Sequence, residues 1–235
     1  MYFFFHLFTG IVLGFLCAEL FHDRRWLIPC TIGAILPDLI DKPLGLLVLS
    51  SSIGYGRIFT HTLALALLVL GAGIVYWRLR QDPGLFALGT GILSHQVLDL
   101  MWRQPVNWYY PFLGSFSGSH TEDFFWVKFL EELHNPFEVI LGAMVLILVL
   151  AVLFRSRISP VLKEKRAVIT LIMTFSALVF GSLAGILIGW GLGGHKLPQI
   201  GWGRPEELIL GGLVIAAASL LFWRWLNIVT SIEEQ

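Results

Sequence analysis

Seven stretches of the chain are apolar all the way round a helix: approximately 7–21, 26–40, 60–77, 84–102, 136–154, 167–193 and 206–224. A hydrocarbon core about 30 Å thick takes about 20 mainly apolar residues to cross as a helix. The stretches 139–154 and 167–194 hold no charged residue at all, whereas 26–40 carries Pro29, Pro37 and Asp38. Residues 43–54 are apolar but too short to cross, and read as a re-entrant or interfacial segment. No stretch alternates with the period of a barrel strand, and backbone groups in lipid must satisfy one another, so the runs are predicted to be helices. The pattern predicts an all-α, polytopic membrane helix bundle of about seven spans. Residues 1–154 are expected to form one bundle, with 155–235 adding two further helices packed on it.

Composition narrows the class. Of 235 residues, 56% are hydrophobic and 14% charged, with a mean hydropathy of +0.77. Soluble domains carry about 25% charged residues. Too little polar surface is left for a water-soluble, disordered, coiled-coil or collagen-like chain. Sixteen basic and sixteen acidic residues balance, which argues against a nucleic-acid partner. Cys17 and Cys30 both lie in apolar runs and suggest no disulfide framework. The first run has no basic residue before it and no small-residue cleavage motif, and is expected to be a retained helix.

Lys and Arg in the short loops set the expected orientation. With the N-terminus outside, Arg24, Arg25, Arg78, Arg80, Arg155, Arg157, Lys163, Lys165, Arg166 and Arg224 fall on the cytoplasmic side. Lys42, Arg57, Arg103, Lys128, Lys196 and Arg204 fall on the other. An N-out, C-in arrangement in a prokaryotic-type cell membrane follows. Gly181, Gly185, Gly189 and Gly193, and likewise Gly10 and Gly14, recur every fourth position and predict close helix contacts.

Against this background the ionisable residues inside apolar runs stand out. An Asp or Lys at a helix centre costs about 2.5–3.5 kcal/mol on insertion scales. Asp38 and Asp41 end the second run, His61 opens the third, His95 and Asp99 lie late in the fourth, His134 and Glu138 open the fifth, and His6 begins the first. Successive spans alternate in direction, so all of these fall at one level of the membrane, near the outer face in the N-out arrangement. Reversing the topology moves that level without scattering it. His95 and Asp99, and His134 and Glu138, are four apart and project from one helix face. Imidazole and carboxylate together suit Zn²⁺ or Mn²⁺. Metal binding worth on the order of 10 kcal/mol is large enough to offset several buried polar groups. Taken singly, most of these residues have a plainer role. A lone membrane histidine usually hydrogen-bonds a neighbouring helix, and Asp41 is open to pairing with Lys42 among the headgroups. Glu131 and Glu132 read as a wet face, and His22 and His195 as loop residues.

Several short stretches then match a known pattern. They are an early histidine (His6), LPDLID at 36–41, FTHTL at 59–63, SHQVLD at 94–99 and WYYPF at 108–112. Over about residues 1–140 the chain resembles the YdjM-type family of membrane-bound proteins described as metal-dependent hydrolases. The order of ligand types is also similar to the trinuclear zinc site of the all-helical phospholipase C and single-strand nuclease superfamily. That resemblance implies that Asp38, His61, His95 and Asp99 hold one ion, with Asp99 bridging to a second at His6. His120, His134 and Glu138 would hold a third. The soluble enzymes also use an N-terminal tryptophan amine, where this chain begins Met1-Tyr2, so a dinuclear site is the alternative. Asp41 is extra to the pattern.

The expected activity is hydrolysis of a phosphoester, as a phospholipase C or lipid phosphatase, with two or three zinc ions, or manganese, activating water. No serine or cysteine sits in a nucleophile's setting. Asp38 or Asp41 is available as general base, and Arg57 and Arg103 are candidates to bind phosphate. Aromatic residues crowd 102–134 (among them Trp102, Trp108, Tyr109, Tyr110, Phe112, Phe116, Phe124, Phe125 and Trp126), as an interfacial segment does, and suggest a phospholipid or prenyl-phosphate substrate drawn from the bilayer. The rival reading is a non-catalytic metal-binding scaffold or carrier. A carrier needs polar residues through both halves of the bilayer, and the cytoplasmic halves of the third, fifth and sixth runs are almost purely apolar.

Overall fold

The computed structural model describes residues 3–117, 130, 134–154, 166–198 and 202–231. His120 and the aromatic residues Phe124, Phe125 and Trp126 lie outside them.

Each of the seven apolar runs is a helix. They are α1 (Phe3–Phe21), α2 (Leu27–Pro43), α3 (Leu63–Arg80), α4 (Gly84–Leu98), α6 (Pro136–Leu153), α7 (Arg166–Leu192) and α8 (Pro205–Ser231), with a single turn, α5 (Pro105–Trp108), after α4. Among the described residues there is no strand, only one isolated bridge between Leu197 and Trp202. Among the described residues, four helical stretches are long and apolar enough to cross a bilayer unaided: Phe3–Phe21, Leu63–Arg80, Val168–Leu192 and Pro205–Arg224. Gly84–Leu98 and Pro136–Ile147 are shorter apolar helices. The outward side chains of α3, such as Leu68 and Leu79, are left exposed, as suits a face that lipid tails cover.

The boundaries move where polar chemistry intervenes. α3 starts at Leu63 rather than residue 60, capped by the Thr62 hydroxyl, which accepts from the Leu65 N–H. The residues before it are committed elsewhere, donating backbone N–H groups to Asp41. α4 stops at Leu98 because Leu100 takes a left-handed conformation (φ 53°). Residues 44–48 continue α2 as one wide turn and 49–53 turn back, so this segment does not cross.

The chain divides into two compact units, Met1–Leu141 and Gly142–Gln235, the division falling inside α6. In the first, glycines let three helix pairs touch backbone to backbone. A Cβ at Gly10 would lie 2.6 Å from the Ala34 Cβ, drawing α1 onto α2. Gly33 and Gly91 do the same between α2 and α4, and Gly73 and Gly89 between α3 and α4. In the second unit α7 and α8 pack along Ala184, Ile188, Gly191 and Gly212. Gly181, Gly185 and Gly189, where the spacing predicts a helix contact, have no described atom within 4 Å of a would-be Cβ. α8 packs on a different side of α7.

Candidate metal centre

α2 delivers three charged residues in its last two turns: Asp38, Asp41 and Lys42, all buried. Pro37 has no N–H to donate to the carbonyl of residue 33, and so loosens the helix just before them. The loop entering α3 brings Arg57 and His61. The end of α4 brings His95 and, one residue past the helix, Asp99.

Asp41 organises the loop. Its carboxylate is fully buried and accepts backbone N–H groups from Ile58 (2.9 Å), Thr60 (3.0 Å) and His61 (3.1 Å). It also accepts from the His61 ring at Nδ1, 2.7 Å away. The pairing of Asp41 with Lys42 considered from sequence is not formed. Lys42 instead contacts Oδ2 of Asp38, one helical turn back, because i and i+4 share a face whereas i and i+1 do not.

These contacts fix the two imidazoles. His61 Nδ1 faces a carboxylate, and His95 Nδ1 lies 2.7 Å from the Ala34 carbonyl. Both partners accept, so each Nδ1 carries a hydrogen and each Nε2 is left to face the interior of the group. The two Nε2 atoms are 3.1 Å apart. Asp38 Oδ1, which accepts no hydrogen bond, lies 3.7 Å from both. Asp99 Oδ2 lies 3.7 Å from His61 Nε2 and 3.9 Å from His95 Nε2. Four potential ligand atoms therefore face one point. All four lie within 4.8 Å of one another. Zinc bonds of about 2.0–2.2 Å in a tetrahedron set ligand atoms about 3.3–3.6 Å apart, close to these separations. This buried Asp/His/His/Asp group can hold a metal ion, and the donors suit zinc or manganese chemically.

The other residues singled out by sequence fall into three places. His6, on α1, packs against the group: its ring stacks on His95 with centroids 3.9 Å apart, and its Nε2 lies 3.2 Å from Asp99 Oδ1. Its Nδ1 is buried without a hydrogen-bond partner. Arg57 Nε stands 2.7 Å from Asp99 Oδ2. Arg103 lines a separate cleft with Tyr55 and Asn107. Glu138 and His134 do not join the four residues. His134 is exposed, its Nδ1 donating to the Leu130 carbonyl. Glu138 is buried and accepts the N–H groups of Phe4 (2.7 Å) and Phe5 (3.2 Å), capping the first turn of α1.

That cap has a measurable consequence. Glu138→Ala leaves buried N–H groups without an acceptor, at a cost of about 1–3 kcal/mol, and frees the turn that carries His6. A thermal melt in detergent is expected to show a Tm lower by several degrees. Glu138→Gln, which keeps one acceptor oxygen, is expected to lose less. An unchanged Tm in Glu138→Ala would show that the cap is not needed.

Sequence reasoning passed over two residues. Gln96 is fully buried; its amide donates to the carbonyls of Thr60 (3.1 Å) and Thr62 (2.9 Å) and accepts from Trp108 Nε1 (2.9 Å). Lys42 is the other: its four-residue spacing from Asp38 is the sequence signal for the ion pair they form.

The family model described as YdjM inner membrane protein matches residues 1–158, so the chain belongs to that family. No curated protein and no solved structure matches it.

Proposed function

Proceeding from a membrane protein of the YdjM family with a buried group able to hold a metal, we propose that it is a metal-dependent hydrolase of phosphoester bonds in an amphiphile, a phospholipid or a prenyl phosphate. The observation that carries the metal half is the convergence of two imidazole Nε2 atoms, 3.1 Å apart, beside Asp38 Oδ1, which accepts no hydrogen bond. A divalent ion bound there would lower the pKa of a water toward about 7 and polarise a phosphoryl oxygen.

The chain's own residues supply orientation and charge. Asp41 and the Ala34 carbonyl hold the two rings, the outer support that commonly tunes metal affinity 10–100-fold. Asp41 already accepts several hydrogen bonds, which suits orientation better than proton abstraction and leaves Asp38 as the candidate base. Asp38, Asp41 and Asp99 carry three negative charges, and Lys42 and Arg57 carry two positive ones. A divalent ion turns that sum from −1 to +1, which favours an anionic substrate such as a phosphoester. The N-out topology expected from the charge bias would set this chemistry near the outer face.

One observation favours the scaffold reading: four protein ligands can complete a tetrahedral shell and leave no open position. Turnover separates the two. Protein purified in detergent is expected to release phosphate or phosphorylated headgroup from phosphatidic acid, phosphatidylglycerol or a prenyl phosphate. Activity should vanish on chelation, return with Zn²⁺ or Mn²⁺, and stay absent in His61→Ala. Tight metal without turnover on any lipid phosphate would leave a structural ion, and no metal binding at all would remove both readings.

A further inference from the structure

Two carboxylates face the pair of imidazoles, and they divide their oxygens differently. Asp38 aims Oδ1 at the rings and gives Oδ2 to Lys42, so metal ligation and ion pairing would use separate atoms. Asp99 has no such division. Its Oδ1 lies 3.2 Å from His6 Nε2, while Oδ2 faces His61 Nε2 and His95 Nε2 at 3.7 and 3.9 Å. That same Oδ2 lies 2.7 Å from Arg57 Nε. The contact is one of charge alone: Oδ2 is buried yet accepts no hydrogen bond, so the Nε–H is not aimed at it. An arginine–carboxylate pair commonly locks through two parallel N–H···O bonds, and no such bond ends on this oxygen.

A metal ion bonded to Oδ2 and a guanidinium resting on the same atom are two cations at one oxygen, and they repel. Arg57 cannot shed its charge, because a guanidinium stays protonated. It can only move. Exposure says which way: the Arg57 side chain is 25% exposed, against 6% for Asp99, 4% for Asp38 and none for either histidine. The guanidinium therefore stands on the open side of a buried group. Turned off Asp99, it presents a planar fork of N–H donors, the shape that grips a phosphate-class oxyanion at two points.

We propose that Arg57 is shared between the metal ion and the oxyanion of the substrate: it yields Asp99 Oδ2 to the ion and turns to bind the anion, so that each ligand tightens the other. The naming of that oxyanion as a phosphoester substrate rests on the hydrolase reading above; the contest for Oδ2 and the coupling do not.

The experiment measures Zn²⁺ affinity of the full chain in dodecyl maltoside by chelator competition, with and without methylphosphonate, an oxyanion that is not turned over. In the parent protein methylphosphonate is expected to tighten Zn²⁺ at least about fivefold, the lower end of ordinary coupling between two ligands. Arg57→Gln is expected to bind Zn²⁺ alone more tightly than the parent, because the competing cation is gone, and to lose most of the methylphosphonate effect. Arg57→Lys, which keeps the charge without the fork, is expected to bind Zn²⁺ about as the parent does and to keep part of the effect. The opposite signs in Arg57→Gln separate this role from a structural one, in which Zn²⁺ affinity would fall. Unchanged or weaker Zn²⁺ binding in Arg57→Gln would overturn the proposal, and so would equal coupling in all three proteins, since the ion alone would then hold the anion. Either result alongside lipid phosphate turnover would leave the hydrolase reading standing. Coupling through Arg57 in a protein that turns over no lipid phosphate would keep the proposal and remove that reading, and a parent that binds no Zn²⁺ would remove both.

Discussion

His95→Ala is expected to lose its divalent ion while remaining folded. The substitution removes one of the four inward atoms and the 2.7 Å bond to the Ala34 carbonyl. Loss of an outer support alone costs 10–100-fold in metal affinity, so loss of a ligand is expected to cost more than about 100-fold. The ion-free protein responds differently. What it loses is the hydrogen bond to the Ala34 carbonyl, worth about 1 kcal/mol, and the packing of a fully buried ring. The prediction is therefore a split. Added ion at about 100 times its Kd stabilises the parent protein by about 2.7 kcal/mol and leaves the variant's Tm unmoved, while without ion the variant melts below the parent by the cost of the lost bond and packing alone. Metal analysis with chelator competition, paired with thermal melts, checks both halves. A variant that keeps the parent's affinity would show that the four residues are not the ligands.

The second large effect is steric and lies away from any charge. A Cβ at Gly91 would sit 2.2 Å from the Cys30 carbonyl oxygen and 2.7 Å from the Ala34 backbone nitrogen. Backbone atoms inside a helix cannot turn aside as a side chain does, so Gly91→Ala must push α4 away from α2. Overpacking of this kind costs about 1–3 kcal/mol. Ala34 also supplies the carbonyl that orients His95, so the displacement reaches the metal group directly. Gly91→Ala is expected to lower both Tm and metal affinity. Gly71→Ala is the control: it lies within α3 with nothing within 4 Å of a Cβ, and alanine in place of glycine there should add about 0.8–1.0 kcal/mol of helix stability. If the two variants behave alike, the close approach of α2 and α4 is not what holds the site.

The helices were legible because burial in lipid demands uninterrupted apolar runs, and all seven runs are helical. The convergence of Asp38, His61, His95 and Asp99 was legible for a related reason. A charge within such a run must be compensated, and alternating spans bring those four to one level. Contacts that carry no such penalty left no trace. Gln96 is neutral and reads as an unremarkable polar residue beside His95, and a backbone carbonyl such as that of Ala34 has no signature at all. The start of α3 was misplaced because hydropathy does not register that Asp41 takes the N–H groups of Ile58, Thr60 and His61. The reach of Glu138 to the first turn of α1 is a contact between residues more than 130 apart. Local spacing pairs Glu138 with His134 and is silent about it.

Gln96 also decides how the aromatic segment can behave. Its oxygen holds Trp108 while its nitrogen holds the two peptide carbonyls on either side of His61. Swinging Trp108 outward would strand a buried amide oxygen in a dry environment, at about 1–3 kcal/mol. Trp108 is therefore fixed at its place, and the start of the aromatic segment is tied through one amide to the loop that carries His61.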